Sequence, residues 1–241
     1  MKSLSLVSLV LAGAAFGLHA APIDYSFAGV GKSVPDGDAA GVADTQIIST
    51  PFTQITSLTL MLTITGRDDF DPFNGDLYAT LVHGAGYAVL LNRPGRTAAH
   101  PFGNPDNGMS VTFNDFAALG NIHGYADVVS PAPGSPLTGI WMPDGRAADP
   151  GVVLDTSPIS ALLSSFTGLD PNGSWTLFVA DLETGGLAAL ESWSLQIDGI
   201  NEVPESGTYG VLGLVLLPSL WMGRRSLAAW RRRRSEVGKA D

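Results

Sequence analysis

The sequence predicts an all-β protein, an antiparallel β-sandwich of jelly-roll type over residues 21–200. In six short segments, apolar and polar residues alternate at every second position, which is typical of strands with one buried face. Many of the 29 glycines and 16 prolines lie in turn-forming clusters between these segments, as in residues 71–75 and 170–173. Within residues 21–200, only residues 159–166 suggest a helix.

Each segment places its apolar residues on one predicted core face. In chain order these residues are Leu58, Leu60, Leu62 and Ile64 in segment 55–65, Leu77, Ala79 and Leu81 in 76–82, Tyr87, Val89 and Leu91 in 87–91, Val111 and Phe113 in 110–114, Trp175, Leu177 and Val179 in 174–180, and Trp193, Leu195 and Ile197 in 192–197. Residues 94–155 are poorer in this signal and are predicted to be loops with a few strands. Trp141 lies in such a loop and, if exposed, would be a candidate sugar platform, although a core position is favoured for the other tryptophans Trp175 and Trp193.

The N-terminal residues 1–20 predict a secretory signal peptide. Lys2 precedes an apolar run over residues 4–18, and small residues follow at Ala20 and Ala21. Cleavage is expected after Ala20, with Ala21 as the alternative. A buried N-terminal helix is the competing interpretation.

Residues 201–241 predict a membrane-sorting tail with one apolar helix. Val203, Pro204 and Glu205 precede the uncharged residues 207–222, and a basic cluster follows. Basic residues after a span stay cytoplasmic, so the body would lie in the periplasm. The basic flank consists of Arg224, Arg225, Arg231, Arg232, Arg233 and Arg234.

This tail resembles the PEP-CTERM sorting signal of Gram-negative bacteria, with Ser206 in place of the usual second proline. The resemblance implies an exosortase-type processing enzyme as partner, transient anchoring in the inner membrane, and release to the cell surface or outside the cell. A plain single-pass anchor is the alternative.

Charge and composition exclude several classes of function. Residues 21–200 carry nineteen Asp and Glu against five Lys and Arg, a net charge of −14. Such a body repels phosphate backbones, so no nucleic-acid partner is expected. The chain has no cysteine, which excludes disulfides and thiol chemistry.

The body resembles the proprotein-convertase P domain (P/Homo B), a galactose-binding-like β-sandwich. The matching residues are 33–36 with Ile47 and Ile48, 64–66, 75–81, the Gly-x-Trp-x-Leu-x-Val-x-Asp pattern at 173–181, and Leu187, Trp193, Leu195 and Ile197. In convertases this domain stabilises and tunes an adjoining protease. No protease domain shares this sequence, so that role does not transfer directly.

Calcium is the best candidate for a cofactor. Asp68, Asp69, Asp71, Asn74 and Asp76 crowd into one predicted inter-strand loop. Oxygen ligands on such a loop suit Ca²⁺, which takes six to eight of them. The P-domain resemblance implies that Asp181 and Glu183 lie nearby, and the predicted ligands are Asp68, Asp69, Asp71, Asp76 and Asp181. A solvated acidic turn is the alternative.

No catalytic motif stands out. His83, His100 and His123 lack zinc-site spacing, and no nucleophile-elbow motif is present. The sequence therefore predicts a non-catalytic interaction or adhesion domain of a cell-surface or matrix protein. The alternatives are a carbohydrate-binding module, an accessory to a separate subtilisin-like protease, and an unrecognised hydrolase.

Overall fold

A computed structural model describes residues 21–67 and 71–201. The predicted signal peptide, the sorting motif, the apolar helix, the basic flank, Asp68 and Asp69 all lie outside these residues. Across the part of the chain that is described, no helix is both long and apolar enough to cross a membrane.

The described residues form ten strands and three short 3₁₀ helices. The strands are β1 (Ile23–Phe27), β2 (Lys32–Val34), β3 (Asp38–Ile48), β4 (Gln54–Gly66), β5 (Leu77–His83), β6 (Gly86–Asn92), β7 (Met109–Phe113), β8 (Leu137–Trp141), β9 (Gly173–Asp181) and β10 (Ala188–Ile200). The 3₁₀ helices are Asn74–Asp76, Ile122–Asp127 and Leu163–Phe166. The predicted helix at 159–166 is thus a single 3₁₀ turn at the end of that segment.

The strands pair into two sheets, which confirms the predicted all-β architecture. The larger sheet has the order β1-β10-β4-β7-β8, with β2 also paired to β10, and the smaller has the order β3-β9-β5-β6. A single hydrophobic core joins apolar residues of both sheets. The central strands β9 and β10 contain two of the segments that resemble a P domain.

One pairing departs from the predicted antiparallel pattern, because β7 and β8 run parallel. The chain leaves β7 at Phe113 and enters β8 at Leu137. A parallel pair needs a crossover of about a dozen residues or more, and residues 114–136 supply it. This crossover contains few apolar alternations, so the sequence did not reveal it.

The predicted core faces of β4, β5, β9 and β10 are confirmed. Their inward residues, Leu58 to Ile64, Leu77 to Leu81, Trp175 to Val179 and Trp193 to Ile197 at every second position, are at most 5% exposed. In β6 the predicted face is confirmed only in part, since Leu91 lies in the core but Tyr87 is exposed, and Ala88 and Leu90 join the core too. Val89 is buried as well, so most of β6 is covered on both faces and shows no simple alternation.

A buried hydrogen-bonded cluster links the two sheets beside Trp193. The indole Nε1 of Trp193 in β10 donates to Asp44 Oδ2 in β3 at 2.8 Å. Asp44 also accepts from Lys32 Nζ at 2.7 Å and from Gln46 Nε2 at 2.8 Å. Burial opposes ionisation of this carboxyl, but the three donors outweigh it and hold the pKa of Asp44 below its usual value.

Candidate functional site

The strands bring two of the five predicted calcium ligands to one end of the smaller sheet. Asp76 closes the 3₁₀ turn Asn74–Asp76 and immediately precedes β5, while Asp181 is the last residue of β9. Their strands pair so that Leu77 faces Asp181, and Asp38 at the start of β3 faces Asp181 from the other side. The predicted proximity of Asp76 and Asp181 therefore follows from strand register.

Both carboxyl groups are buried and electrostatically strained. Asp76 is 6% exposed and Asp181 is 1% exposed, and Asp181 Oδ1 has no hydrogen-bond partner. Burial, together with repulsion from Glu183 and Asp36, raises the pKa of Asp76 to about 6 despite the attraction of Arg93. Burial and repulsion from Asp76 and Asp36 raise the pKa of Asp181 to about 7.

Arg93 is the cation within this cluster, and the sequence analysis did not single it out. Its guanidinium lies 2.8 Å from Glu183 Oε1 and 3.5 Å from Asp76 Oδ1, and its Nε donates to the Gly75 carbonyl at 3.1 Å. The residue is 4% exposed. Its φ of 52° lies in the left-handed region that non-glycine residues rarely adopt. The only sequence signal was that the body has so few basic residues.

Of the remaining predicted ligands, the structure describes only Asp71. The Asp71 carboxylate accepts from Asn107 Nδ2 at 2.8 Å, and Asp68 and Asp69 lie outside the described residues. Among residues 21–67 and 71–201, no group of three His, Asp or Glu side chains is arranged to hold a metal ion. The unpartnered Asp181 oxygen fits a cation, but Arg93 already lies against Asp76. Calcium stays a prediction.

A groove of about 390 Å³ opens beside the cluster. Phe73 and Phe102 form its apolar part and are 38% and 70% exposed, while Asp76 and Glu183 form its acidic part. The remaining lining residues are Gly103, Asn104, Pro105 and Thr184.

Close backbone contacts hold the two sides of this groove together. The Gly75 amide donates to the Asn104 carbonyl at 2.8 Å. A Cβ on Gly75 would lie 2.2 Å from the Phe102 carbonyl oxygen, so only glycine permits this approach. The loop that carries Phe102 is thereby fixed against the turn before β5.

The buried histidines serve the fold and are not free for catalysis. Both ring nitrogens of His83 face backbone carbonyls, those of Ser174 at 2.9 Å and Asp170 at 2.6 Å, and the ring stacks on Trp175 at 4.1 Å. His123 Nδ1 faces Asp144 Oδ2 at 2.8 Å and its Nε2 faces the Arg96 carbonyl at 2.9 Å. Neither ring presents a free nitrogen to a substrate.

A second recess, of about 360 Å³, contains His100 and one edge of His123. The hydroxyl in its lining belongs to Thr97, whose Oγ1 accepts from the backbone amides of Ala99 and His100 at 3.2 Å and 3.0 Å. Asp127 and Asp155 also line this recess.

Trp141, the candidate sugar platform, is not exposed. Trp141 ends β8 and is completely buried, its Nε1 donates to the Thr138 carbonyl at 3.0 Å, and its ring packs edge-on against Tyr125. It cannot serve as a sugar platform in this fold. Strand alternation gave no sign of this burial, because β8 is a short edge strand and residues of the preceding crossover, such as Tyr125, cover Trp141.

Comparisons with known proteins do not assign a family. No protein-family model and no curated protein matches the chain. Among solved structures it is similar to one of the Aeromonas sobria serine protease in complex with the chaperone, at 16% identity and a TM-score of 0.38. A structure of the serine protease of Aeromonas sobria is similar at 17% identity and a TM-score of 0.37. In both cases the match covers 76% of this chain and 27% of the solved chain. The match therefore spans only about a quarter of the length of those solved chains.

Proposed function

We propose that residues 21–200 form a non-catalytic interaction domain that binds a protein partner at the cell surface. The observation that carries the proposal is the groove beside Glu183, where two exposed phenyl rings, Phe73 and Phe102, line the same recess. Exposed aromatic residues in a recess with a polar rim are typical of contact sites between proteins. The engaged nitrogens of His83 and His123 support a role without catalysis.

Delivery to the surface is part of the same proposal. The signal peptide would direct export, and the motif at Val203, Pro204 and Glu205 would direct processing by an exosortase-type enzyme after transient anchoring. Mass spectrometry of the mature protein tests this directly. We expect a first residue at Ala21 or Pro22 and a last residue near Glu205, whereas a protein retaining residues 1–20 would exclude export by this route.

The interaction is tested by adding the purified chain to intact cells of a strain that lacks its gene. We expect saturable binding that disappears after proteinase K treatment of the cells and survives periodate oxidation. Loss after periodate alone would identify polysaccharide as the partner and contradict the proposal. Absence of binding to untreated cells would contradict it as well.

A protease accessory is the second candidate function. Two of the segments that resemble a P domain form β9 and β10, which are inner strands of the two sheets. Under this candidate the chain would stabilise a separately encoded subtilisin-like protease. Co-purification of such a protease, with slower thermal inactivation when the chain is present, is the expected result, and an unchanged inactivation rate would exclude it.

A further inference from the structure

We propose that the groove between Phe73 and Phe102 binds an arginine or lysine side chain of the protein partner. The inference rests on the proposed interaction function and names the chemistry of its site. The groove is defined by Phe73, Asp76, Phe102, Glu183 and Thr184 together with the backbone of residues 103–105. Its two kinds of wall, apolar and acidic, match the two parts of a long basic side chain.

The phenyl rings suit the aliphatic stem and the charged head of such a side chain. Phe102 is 70% exposed and Phe73 is 38% exposed, so both retain apolar surface for a ligand to cover. Lysine and arginine bury their methylene stems along apolar surfaces. A cation over a phenyl face gains about 0.5–1 kcal/mol at an exposed site.

The acidic wall supplies the matching charge. The Glu183 side chain is 41% exposed and reaches the groove, whereas Asp76 lies deeper. Asp76 is repelled by Asp36 and Glu183, and Asp181 is repelled by Asp76 and Asp36. Arg93 pairs with Glu183, and Arg96 also lies near that carboxylate.

The same lining argues against a metal ion in the groove itself. Hard cations such as Ca²⁺ need six to eight oxygen ligands. The phenyl rings offer none, and Arg93 already takes a Glu183 oxygen at 2.8 Å. An organic cation with an apolar stem uses both walls, while a metal ion would use only one.

The long-range field favours the same class of partner. The net charge of −14 on residues 21–200 attracts a basic segment from a distance. Binding should therefore weaken as salt is raised, because the screening length falls from about 10 Å at 0.1 M to about 3 Å at 1 M.

The test is an NMR titration of the purified chain with three blocked tripeptides of sequence Gly-X-Gly, where X is arginine, lysine or norleucine. We expect saturable amide shifts at Phe102, Gly103 and Thr184 with the arginine and lysine peptides and none with norleucine. Glu183→Gln and Phe102→Ala should each weaken binding about two- to fivefold, the equivalent of about 0.5–1 kcal/mol. Glu183→Asp should restore part of the loss.

Matched controls lie elsewhere on the domain. Phe116→Ala removes a phenyl ring that is 92% exposed, and Asp198→Asn removes one charge where β10 pairs with Ser57 at the start of β4. Both controls should leave the titration unchanged. Equal binding of the norleucine peptide, equal loss in the controls, or no shifts with the basic peptides would overturn the proposal.

The two proposals fail differently. If the peptides do not bind but the chain still binds cells in a protease-sensitive way, the groove assignment falls and the interaction function stands. If the chain does not bind cells, the interaction function falls whatever the peptides do.

Discussion

At the residue scale, two aspartates illustrate opposite outcomes of burying a carboxyl group. Asp44 receives hydrogen bonds from Trp193, Lys32 and Gln46, so its charge is stabilised. Asp181 has an oxygen without a partner and repulsive neighbours. Burial alone therefore does not decide the effect of a charge, and the donors around it do.

Asp181→Asn is expected to stabilise the protein at pH 8 when a chelator is present. The pKa of Asp181 is about 3.9 in the unfolded chain and is raised to about 7 in the folded protein. The folded protein is therefore most stable below about pH 3.9, where Asp181 is protonated in both states, and it loses stability as the pH rises from there towards about 7. Asparagine removes this loss. We expect a Tm higher by a few degrees at pH 8 and nearly unchanged at pH 4, measured by circular dichroism.

Asp198→Asn is the control for this experiment, because it removes a charge at the opposite end of the domain. It should leave the difference between pH 4 and pH 8 as in the unaltered chain. If Asp181→Asn shows the same difference in Tm between pH 4 and pH 8 as the unaltered chain, burial of the Asp181 carboxylate does not destabilise the protein and the prediction is wrong.

Asp44→Ala is expected to destabilise the domain by about 1–3 kcal/mol, because it leaves the buried Trp193 Nε1 without an acceptor. Urea unfolding followed by tryptophan fluorescence measures the change. Asp24→Ala is the control, since the Asp24 carboxylate accepts from Gln196 on the exposed face of the larger sheet. Equal unfolding midpoints for the two variants would refute a structural role for the Asp44 cluster.

At the element scale, the connection between β4 and β5 determines the geometry of the site. Its turn Asn74–Asp76 places Asp76 against Arg93, and Gly75 lets the loop carrying Phe102 approach closely. β9 and β10 occupy central positions in their sheets, so the segments with the strongest alternation are also the ones with neighbours on both sides. Edge strands such as β6 and β8 are covered by loops instead, which explains why their patterns were weaker.

Four of the five predicted calcium ligands lie in the connection between β4 and β5. If Ca²⁺ binds the Asp68–Asp76 loop and Asp181, EDTA should lower the Tm of the purified chain, since binding to the folded state alone stabilises it. Asp71→Asn should then reduce the shift. If Tm is the same in calcium and in EDTA, for both the unaltered chain and the variant, the prediction of a calcium site is wrong.

At the scale of the whole molecule, strand alternation was enough to predict the two-sheet architecture and most of the core. It predicted the inward faces of β4, β5, β9 and β10 because each has one face against the core and one towards solvent. It did not predict the parallel β7–β8 pair, the burial of both faces of β6 or the burial of Trp141. In each case long connections between elements determine the environment, and local periodicity carries no information about them.

The candidate site was predicted only in part for the same reason. Sequence reasoning placed Asp76 in the acidic loop, and the P-domain resemblance brought Asp181 and Glu183 near that loop. It missed Arg93, Phe73 and Phe102 as partners, because the groove joins chain segments far apart in sequence. Composition and alternation by themselves determined an acidic, cysteine-free, all-β body. Only the tertiary structure decided which charges face one another and which aromatic rings remain exposed, because those properties depend on strand register and loop packing.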